Sequence, residues 1–172
     1  MDAFKLINEV IKREGGYVNH PADKGGPTNM GITQRTLTMY LARETTVDDV
    51  KNLNQQTARD IYYMYYWVNT GVNLLPELIQ PIVFDMVVNM GKRGVKLLQT
   101  ALENRGYYYD AIDGKIGPRT LLAAKSACED LGNELLKTLV RRRVIYYEGL
   151  VKNDDTQRVF LSGWIARAES FL

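Results

Sequence analysis

Residues 14–33, EGGYVNHPADKGGPTNMGIT, decide the fold of the first part of the chain. Within them, residues 15–27 contain four glycines and two prolines, a composition that ends a helix and predicts a loop or a small β-hairpin. Immediately before this stretch, apolar residues recur at helical spacing, at Phe4, Ile7, Val10 and Ile11. The sequence therefore predicts an amphipathic helix that ends near Gly15 and leads into a glycine-rich loop.

The remainder of the sequence also has helical periodicity. Thr33 and Asn54 are suitable N-caps for two further helices. Pro81 and Pro118 suit the first helical position, and Gly91 suits a helix end, so the nearly all-apolar run from 81 to 91 predicts a helix central to the core. Because no long run alternates between apolar and polar residues, we predict a mainly α fold with one glycine-rich functional loop.

Scarce residue types exclude several kinds of site. The 172-residue chain contains one cysteine, Cys128, and one histidine, His20. An intramolecular disulfide, a closed zinc site of cysteines and histidines, and a two-histidine catalytic zinc site are therefore excluded. We expect no metal and no organic cofactor, and we expect any catalysis to depend on carboxylates. Cys128 is interpreted as a small packing residue.

The charge of the chain is nearly balanced, with a formal net charge of +2 at pH 7. Such a surface suits an anionic partner such as a bacterial envelope or nucleic acid, but it selects neither. The first residues contain no charged-then-apolar signal sequence, and the most apolar run, residues 81–90, is too short to span a membrane. We therefore expect synthesis in the cytoplasm without an export signal, and no stable membrane insertion.

Glu14 is the most informative residue of the chain. It follows Ile7 by seven residues and Val10 by four, so its side chain continues the buried stripe of the first helix. It also lies in the last turn, where the helix macrodipole presents partial negative charge. Both conditions favour the protonated carboxyl group that a general acid requires. The alternative is a glutamate that faces solvent at a helix end.

The glycine-rich loop adds a second carboxylate, Asp23, and a hydroxyl, Thr28. A protonated acid in an apolar setting and a carboxylate on a polar loop form the arrangement that glycoside hydrolysis uses. In this interpretation Glu14 protonates the leaving oxygen, Asp23 activates water or stabilises the transition state, and Thr28 orients that water. The alternative for Asp23 is an ordinary turn residue beside Lys24 and two glycines.

Several short motifs of this region occur together, namely Glu14-Gly15-Gly16-Tyr17, Asp23, Gly25-Gly26, Thr28 and Gly31-Ile32-Thr33. Together they resemble glycoside hydrolase family 108, the N-acetylmuramidases found among phage endolysins and secretion-associated bacterial muramidases. The resemblance implies a lysozyme-like helical fold in which Glu14 is the catalytic acid. The order Glu, Asp, Thr also resembles the catalytic triad of phage lysozymes, with one residue fewer between Asp23 and Thr28 here.

The second half of the chain carries a further resemblance. Residues 113–120, DGKIGPRT, resemble part of the predicted peptidoglycan-binding domain that follows the hydrolase motif in that family. The resemblance implies a muramidase catalytic region at residues 1–91 and a peptidoglycan-binding region at 92–172, packed as one compact unit. Residues 107–109 are three consecutive tyrosines beside a turn-rich link, and we expect them to be exposed where they could touch the polymer.

Three residues are candidates for contact with the saccharide: Tyr17, Asn29 and Asn89. Tyr17 offers an aromatic face to the apolar face of a sugar. Asn89 lies four residues after Asp85 on an otherwise apolar helix, so both polar groups need buried hydrogen bonds or a ligand in a groove. Hydrogen bonds within the fold are the favoured interpretation of this pair, with Asn89 the better candidate for a groove.

Residues 141–143 are three consecutive arginines, a pattern that could indicate nucleic acid. Adjacent residues of a helix point in different directions, so we interpret these arginines as a solvated face with local ion pairs. We expect no nucleic-acid partner.

The sequence thus predicts a peptidoglycan hydrolase that cleaves the β-1,4 bond between N-acetylmuramic acid and N-acetylglucosamine and so lyses bacterial cell walls. The alternatives are a lytic transglycosylase, which uses one acid and no water, and a non-catalytic wall-binding module. We expect a monomer that reaches the periplasm through a separate holin or a secretion pore.

Overall fold

The computed structural model describes residues 2–19 and 26–172 and is mainly α, which confirms the predicted fold class. The chain divides into two compact units, Met1–Asn69 and Thr70–Leu172. None of the described helices has both the length and the apolar character needed to cross a membrane.

The first unit combines short helices with one hairpin. Its elements are α1 (Ala3–Glu14), β1 (Thr28–Asn29), β2 (Ile32–Thr33), α2 (Gln34–Leu41), α3 (Val47–Lys51), α4 (Gln55–Ile61) and a π-helical segment (Tyr62–Val68). The predicted N-caps are confirmed, since Thr33 Oγ1 accepts a hydrogen bond at the start of α2 and Asn54 Oδ1 accepts one at the start of α4. These caps fix where the hairpin passes into helix.

Helix α1 begins and ends for local reasons. The carboxylate of Asp2 accepts hydrogen bonds from the backbone nitrogens of Phe4 at 3.0 Å and Lys5 at 3.3 Å, which caps the first turn. Gly15 ends the helix with a φ of +79°, a conformation that glycine adopts at little cost. The buried face consists of Ile7, Val10 and Ile11, which are the central members of the predicted stripe.

Helix α4 continues directly into the π-helical segment Tyr62–Val68, which contains five aromatic residues. The wider π turn distributes these rings over several directions. The ring of Tyr63 stacks on Phe4 of α1 with centroids 5.3 Å apart, while the rings of Tyr62 and Tyr66 lie 5.2 Å from each other. π-helical turns are rare in proteins, and those that occur often lie at functional sites. This segment therefore indicates where a functional site could lie.

The second unit is a group of longer helices. Its elements are a 3₁₀ turn (Val72–Leu74), α5 (Gln80–Met90), α6 (Lys92–Asn104), α7 (Pro118–Leu131), α8 (Asn133–Asn153), a second 3₁₀ turn (Asp155–Gln157) and α9 (Arg158–Glu169). Helix α5 is the most buried of them, with six consecutive buried residues from 82 to 87. The prediction of a central apolar helix over this stretch is therefore confirmed.

Asp85 is the charged residue inside α5, and two arginines neutralise it. Its carboxylate is 1% exposed and accepts hydrogen bonds from Arg143 Nη2 of α8 at 2.5 Å and Arg167 Nη2 of α9 at 2.9 Å. The prediction that Asp85 is satisfied within the fold is confirmed. The prediction of a solvated arginine face is wrong for Arg143, which is fully buried because its position on α8 faces α5, whereas Arg141 is exposed.

Cys128 lies half-buried on α7, in agreement with its interpretation as a packing residue. Burial, followed by the negative charge of Glu129, raises the pKa of the thiol to about 11. The thiol is therefore protonated near neutral pH and is a poor nucleophile there.

Candidate active site

Glu14 is the last residue of α1 and is half-buried. The backbone leaves the helix axis at Gly15, so the carboxyl group stands at the point where helix gives way to loop. The helix side of this position is apolar, since Ile7, Val10 and Ile11 are the buried residues of α1.

The described part of the loop forms the predicted β-hairpin. Thr28 and Asn29 pair antiparallel with Thr33 and Ile32, and Val18 extends the pairing with hydrogen bonds of 2.8 and 2.9 Å to Thr28. The two turn residues 30 and 31 have φ values of +50° and +75°. Positive φ at both positions defines the type I′ turn, whose twist matches that of the paired strands.

The hairpin turn packs against Glu14. A Cβ atom at Gly31 would lie 3.0 Å from Cγ and 3.1 Å from Cβ of Glu14 and would collide with the hydroxyl of Tyr62. That hydroxyl donates a hydrogen bond of 2.9 Å to the carbonyl of Met30. Tyr62 therefore holds the hairpin turn in place, and the hairpin turn restricts the direction of the Glu14 side chain.

Tyr66 completes the surroundings of Glu14. Its pKa is raised, mainly by burial and additionally by the negative charge of Glu14, while a hydrogen bond with the Thr36 side chain acts in the opposite direction. The hydroxyl of Thr36 lies 3.0 Å from that of Thr33, the N-cap of α2. A chain of hydroxyl groups thus connects the hairpin to a phenol that stays protonated near Glu14 at neutral pH.

The other predicted site residues of the first unit lie in or beside the hairpin. Thr28 is half-buried, and its hydroxyl donates to the carbonyl of Gly26 at 3.3 Å. Asn29 is buried, and its Nδ2 donates to the carbonyls of Val50 and Lys51 at 3.0 and 3.1 Å. These bonds tie the hairpin to the end of α3.

Four further residues that the sequence analysis named stand apart from this description. Tyr17 is half-buried in the segment that leads into the hairpin. Asp23 and His20 lie outside the described residues. Asn89 belongs to the second unit, where it is exposed and its Nδ2 donates to the backbone carbonyl of Asp85 at 2.7 Å.

Sequence reasoning missed Tyr62 and Tyr66 as parts of the site. Both belong to the aromatic run that is too dense for one helix face, and they are four residues apart. This spacing of four was the signal in the sequence that could have identified the pair, because residues four apart lie near each other along a helix.

The chemistry open to this site is proton transfer by a carboxyl group assisted by hydroxyls. Within residues 2–19 and 26–172, no group of three or more histidine, cysteine, aspartate or glutamate side chains could hold a metal ion. Glu14 combines half-burial with a side chain packed against the hairpin turn, and general acid catalysis depends on such positioning of a carboxyl group within reach of its substrate.

Two family models match the chain over most of its length. Glycosyl hydrolase 108 matches residues 7–91, and the Predicted Peptidoglycan domain matches residues 93–169. A solved structure, that of Brucella abortus SagA, is 32% identical to this chain, with a TM-score of 0.73, and the match covers 98% of this chain and 94% of that one. The chain belongs to the glycosyl hydrolase 108 family. No curated protein matches this chain.

The family 108 hydrolase is accordingly an enzyme, a glycoside hydrolase with a lysozyme-like fold, and its substrate is peptidoglycan. The resemblance drawn from the Glu-Gly-Gly-Tyr motif and from residues 113–120 is confirmed by the two matches. The division of function between residues 1–91 and 92–172 stays a prediction, and the first compact unit ends earlier, at Asn69.

Gly31→Ala is expected to lower the rate of peptidoglycan hydrolysis by about 10-fold or more, because the new methyl group displaces the Tyr62 hydroxyl and the Glu14 side chain. Backbone strain at positive φ adds about 1–3 kcal/mol of destabilisation. Turnover of purified peptidoglycan and thermal unfolding measure the two effects.

Gly26→Ala is the matched control for this substitution. Gly26 has a φ of +71°, close to the +75° of Gly31, but a Cβ there would meet nothing within 4 Å. Both variants carry the strain of positive φ, and only Gly31→Ala introduces the collision beside Glu14. Equal losses of activity in the two variants would contradict the role of the turn in positioning Glu14.

Proposed function

We propose that this hydrolase is an N-acetylmuramidase that cleaves the β-1,4 bond between N-acetylmuramic acid and N-acetylglucosamine, with Glu14 as the general acid. The observation that carries the proposal is the packing of the Glu14 side chain against Gly31, with Tyr62 and Tyr66 around it. A carboxyl group held in this way is positioned before substrate arrives, which is the condition for efficient proton transfer.

In the proposed reaction, the carboxyl group of Glu14 gives its proton to O4 of N-acetylglucosamine as the bond from that oxygen to C1 of N-acetylmuramic acid breaks. Positive charge develops at C1 and its ring oxygen. The hydroxyl of a water molecule adds to C1, and its remaining proton passes to a carboxylate, for which we propose Asp23. Thr28 is proposed to orient this water through its hydroxyl group.

Tyr66 has a role that follows from its protonated state. When Glu14 has given up its proton, the carboxylate must be stabilised in a partly desolvated position. A neutral phenol can donate a hydrogen bond to it, whereas an ionised one would repel it. We therefore propose Tyr66 as the group that stabilises the charged form of Glu14 during the reaction.

The proposed saccharide contacts are Tyr17, Asn29 and Asn89. Two backbone carbonyls hold Nδ2 of Asn29, so a sugar hydroxyl would bind its Oδ1. Tyr17 would contribute its ring. Asn89 would contact the substrate through its Oδ1, since its Nδ2 donates to the carbonyl of Asp85.

Product analysis tests the proposed bond. Purified peptidoglycan is digested, the fragments are reduced with borohydride, and their ends are identified by mass spectrometry. A muramidase yields reduced muramic acid at the new ends and fragments that contain an added water. Anhydro sugars in place of the hydrated ends would identify a lytic transglycosylase, and reduced glucosamine would identify cleavage of the other glycosidic bond.

For the second region, residues 92–172, we propose direct contact with the polymer near Tyr109. This side chain is 86% exposed, and its hydroxyl donates to the carbonyl of Gly106 at 2.5 Å, which leaves the ring face open. The prediction that all three tyrosines of residues 107–109 are exposed is wrong for Tyr108, which is 5% exposed. A pocket of about 330 Å³ lies beside Tyr109 and is lined in part by Arg119 and Leu122, of which Leu122 is 68% exposed. An exposed aromatic face beside a pocket suits the apolar face of a sugar.

Tyr109→Ala is expected to weaken binding to insoluble peptidoglycan by about 3- to 10-fold, because the ring contact is lost. A sedimentation assay with intact walls measures the bound fraction. Tyr109→Phe keeps the ring and should bind like the parent. Val159→Ala, which shortens another exposed side chain of the same unit, is the control for non-specific surface effects.

The proposed biological role is that of a monomeric lysis enzyme released to the cell wall through a holin or a secretion pore, which the resemblance to phage endolysins supports. Expression in the cytoplasm with and without a pore-forming protein tests this role. Lysis that is equally fast without the pore would contradict it.

A further inference from the structure

A groove between α1 and α4 lies beside the candidate active site. It has a volume of about 410 Å³, and its lining includes Asn8, Lys12, Gly15, Met30, Gln55 and Arg59. Asn8 and Lys12 are one helical turn apart on α1, and Gln55 and Arg59 are one turn apart on α4. Two parallel rows of polar and cationic side chains therefore face the same groove.

One end of the groove adjoins the catalytic machinery proposed above. Gly15 follows Glu14 directly in the chain. Met30 precedes Gly31, the residue that packs against the Glu14 side chain, and its carbonyl accepts the hydrogen bond from Tyr62. A ligand group in this groove would therefore lie beside Gly15 on one wall, next to Glu14 in the chain. On the other wall it would lie beside Met30, next to the residue that packs against Glu14.

The described lining of the groove has an excess of positive charge. Among the described residues that line it, there is no aspartate or glutamate. In the described part of the chain neither Lys12 nor Arg59 forms an ion pair, although other arginines of this chain, such as Arg43 and Arg119, do. Two cations that form no ion pair with a described carboxylate and lie in one concave surface create a positive potential that attracts an anion.

Arg59 is held in place for such a contact. Its Nε donates a hydrogen bond of 2.7 Å to Oδ1 of Asn8, which fixes the guanidinium plane. Neither Nη group donates a hydrogen bond to another of the described residues, so both can bind an external acceptor. A guanidinium fixed in this way matches the two oxygens of a carboxylate. Lys12, exposed on the neighbouring row, adds a second cation of adaptable position.

We propose that this groove binds a carboxylate of the peptide stem of peptidoglycan. The inference rests on the proposed function, because the stem is attached to the lactyl group of the N-acetylmuramic acid whose bond is cleaved. Stem peptides carry free carboxylates, whereas the sugar hydroxyls of the glycan strand carry no charge. Lys12 and Arg59 would thus favour strands whose stem carboxylates are charged over strands in which they are neutralised.

The contact lies away from the scissile bond, so it is made equally in the ground state and the transition state. Its loss should raise KM and leave kcat nearly unchanged. Ion pairs at a hydrated surface are modest, so removal of both cations should raise KM by about 3- to 10-fold at low salt. Added salt should reduce the difference.

The test compares two substrates and two double variants. The substrates are purified peptidoglycan free of secondary polymers and the same peptidoglycan after carbodiimide coupling to excess methylamine has converted its carboxylates to neutral amides. The variant Lys12→Gln/Arg59→Gln is compared with Lys5→Gln/Arg35→Gln, which removes the same charge from exposed positions outside the groove. We expect the first variant to show the higher KM only on the substrate with free carboxylates, and the second variant to match the parent on both substrates.

Equal effects of Lys12→Gln/Arg59→Gln on both substrates would overturn the inference, as would an equal effect of the control variant. Arg59→Lys should recover part of the lost affinity, because it restores the charge without the bidentate geometry. Lys12→Gln alone changes one exposed side chain, so it remains informative if loss of the Asn8 hydrogen bond impairs folding. Reduced muramic acid at the product ends together with unchanged KM values would leave the proposed function standing and refute only the stem contact.

Discussion

Glu14→Gln is expected to lower the rate of peptidoglycan hydrolysis by about 10²- to 10⁴-fold, the range that general acid catalysis contributes. The amide keeps the size and shape of the side chain but has no proton to give to the leaving oxygen. The close approach to Gly31 depends on Cβ and Cγ of residue 14, which glutamine retains, so the fold should be preserved. Release of reducing ends from purified peptidoglycan measures the rate, and thermal unfolding checks the fold.

Glu9→Gln is the matched control for Glu14→Gln. It removes the same charge from the same helix, at an exposed position one and a half turns away. A surface substitution of this kind should change activity by less than about 2-fold. If Glu14→Gln hydrolyses walls as fast as Glu9→Gln does, the assignment of the acid is wrong. Another carboxylate of this glycoside hydrolase would then be the acid.

The parts of the site that could be predicted depend on interactions that are local in sequence. The stripe of α1, its end at Gly15 and the hairpin follow from residues within one short stretch, because helical period, caps and positive φ act over a few residues. Glu14 was identified for the same reason. Its position relative to Ile7 and Val10 on one helix is enough to place it at the edge of the core.

Tyr62 and Tyr66 could not be predicted from local rules. The hydrogen bond of Tyr62 joins residues 32 apart in sequence, and it depends on how α4 and the π-helical segment pack against the hairpin. The π geometry itself redistributes the aromatic run, and residue propensities do not distinguish it from an α-helix over the same residues. The helical character of this aromatic run could therefore be predicted from the sequence, whereas the direction of each aromatic ring could not.

The burial of Arg143 could likewise not be predicted from local rules. Within residues 141–143 the pattern is that of a solvated segment, and the partner of Arg143 lies 58 residues earlier on another helix. The informative signal was Asp85 instead, since a carboxylate inside an apolar helix requires cationic or hydrogen-bond partners. That signal predicts the existence of a partner, but only the packing of α5, α8 and α9 identifies it.

Asp85→Asn is expected to destabilise the protein by about 3–5 kcal/mol, because it leaves two arginines without their counter-charge in a buried position. Arg143 is fully buried, and the side chain of Arg167 is 22% exposed. Asparagine has nearly the same volume as aspartate, so lost packing contributes little. Urea-induced unfolding measures the change in the free energy of unfolding. An unchanged m-value would confirm that the parent protein and Asp85→Asn unfold in the same way.

Asp110→Asn provides the comparison that separates charge burial from ion pairing as such. Asp110 also pairs with an arginine, Arg119, but the side chains are 34% and 77% exposed, so water can replace the lost partner. The expected change there is below about 1 kcal/mol. Equal costs for the two substitutions would contradict a special role of the buried cluster. Replacement of Asp85, Arg143 and Arg167 together by apolar residues should cost less than Asp85→Asn alone, since no unpaired charge then remains inside the fold.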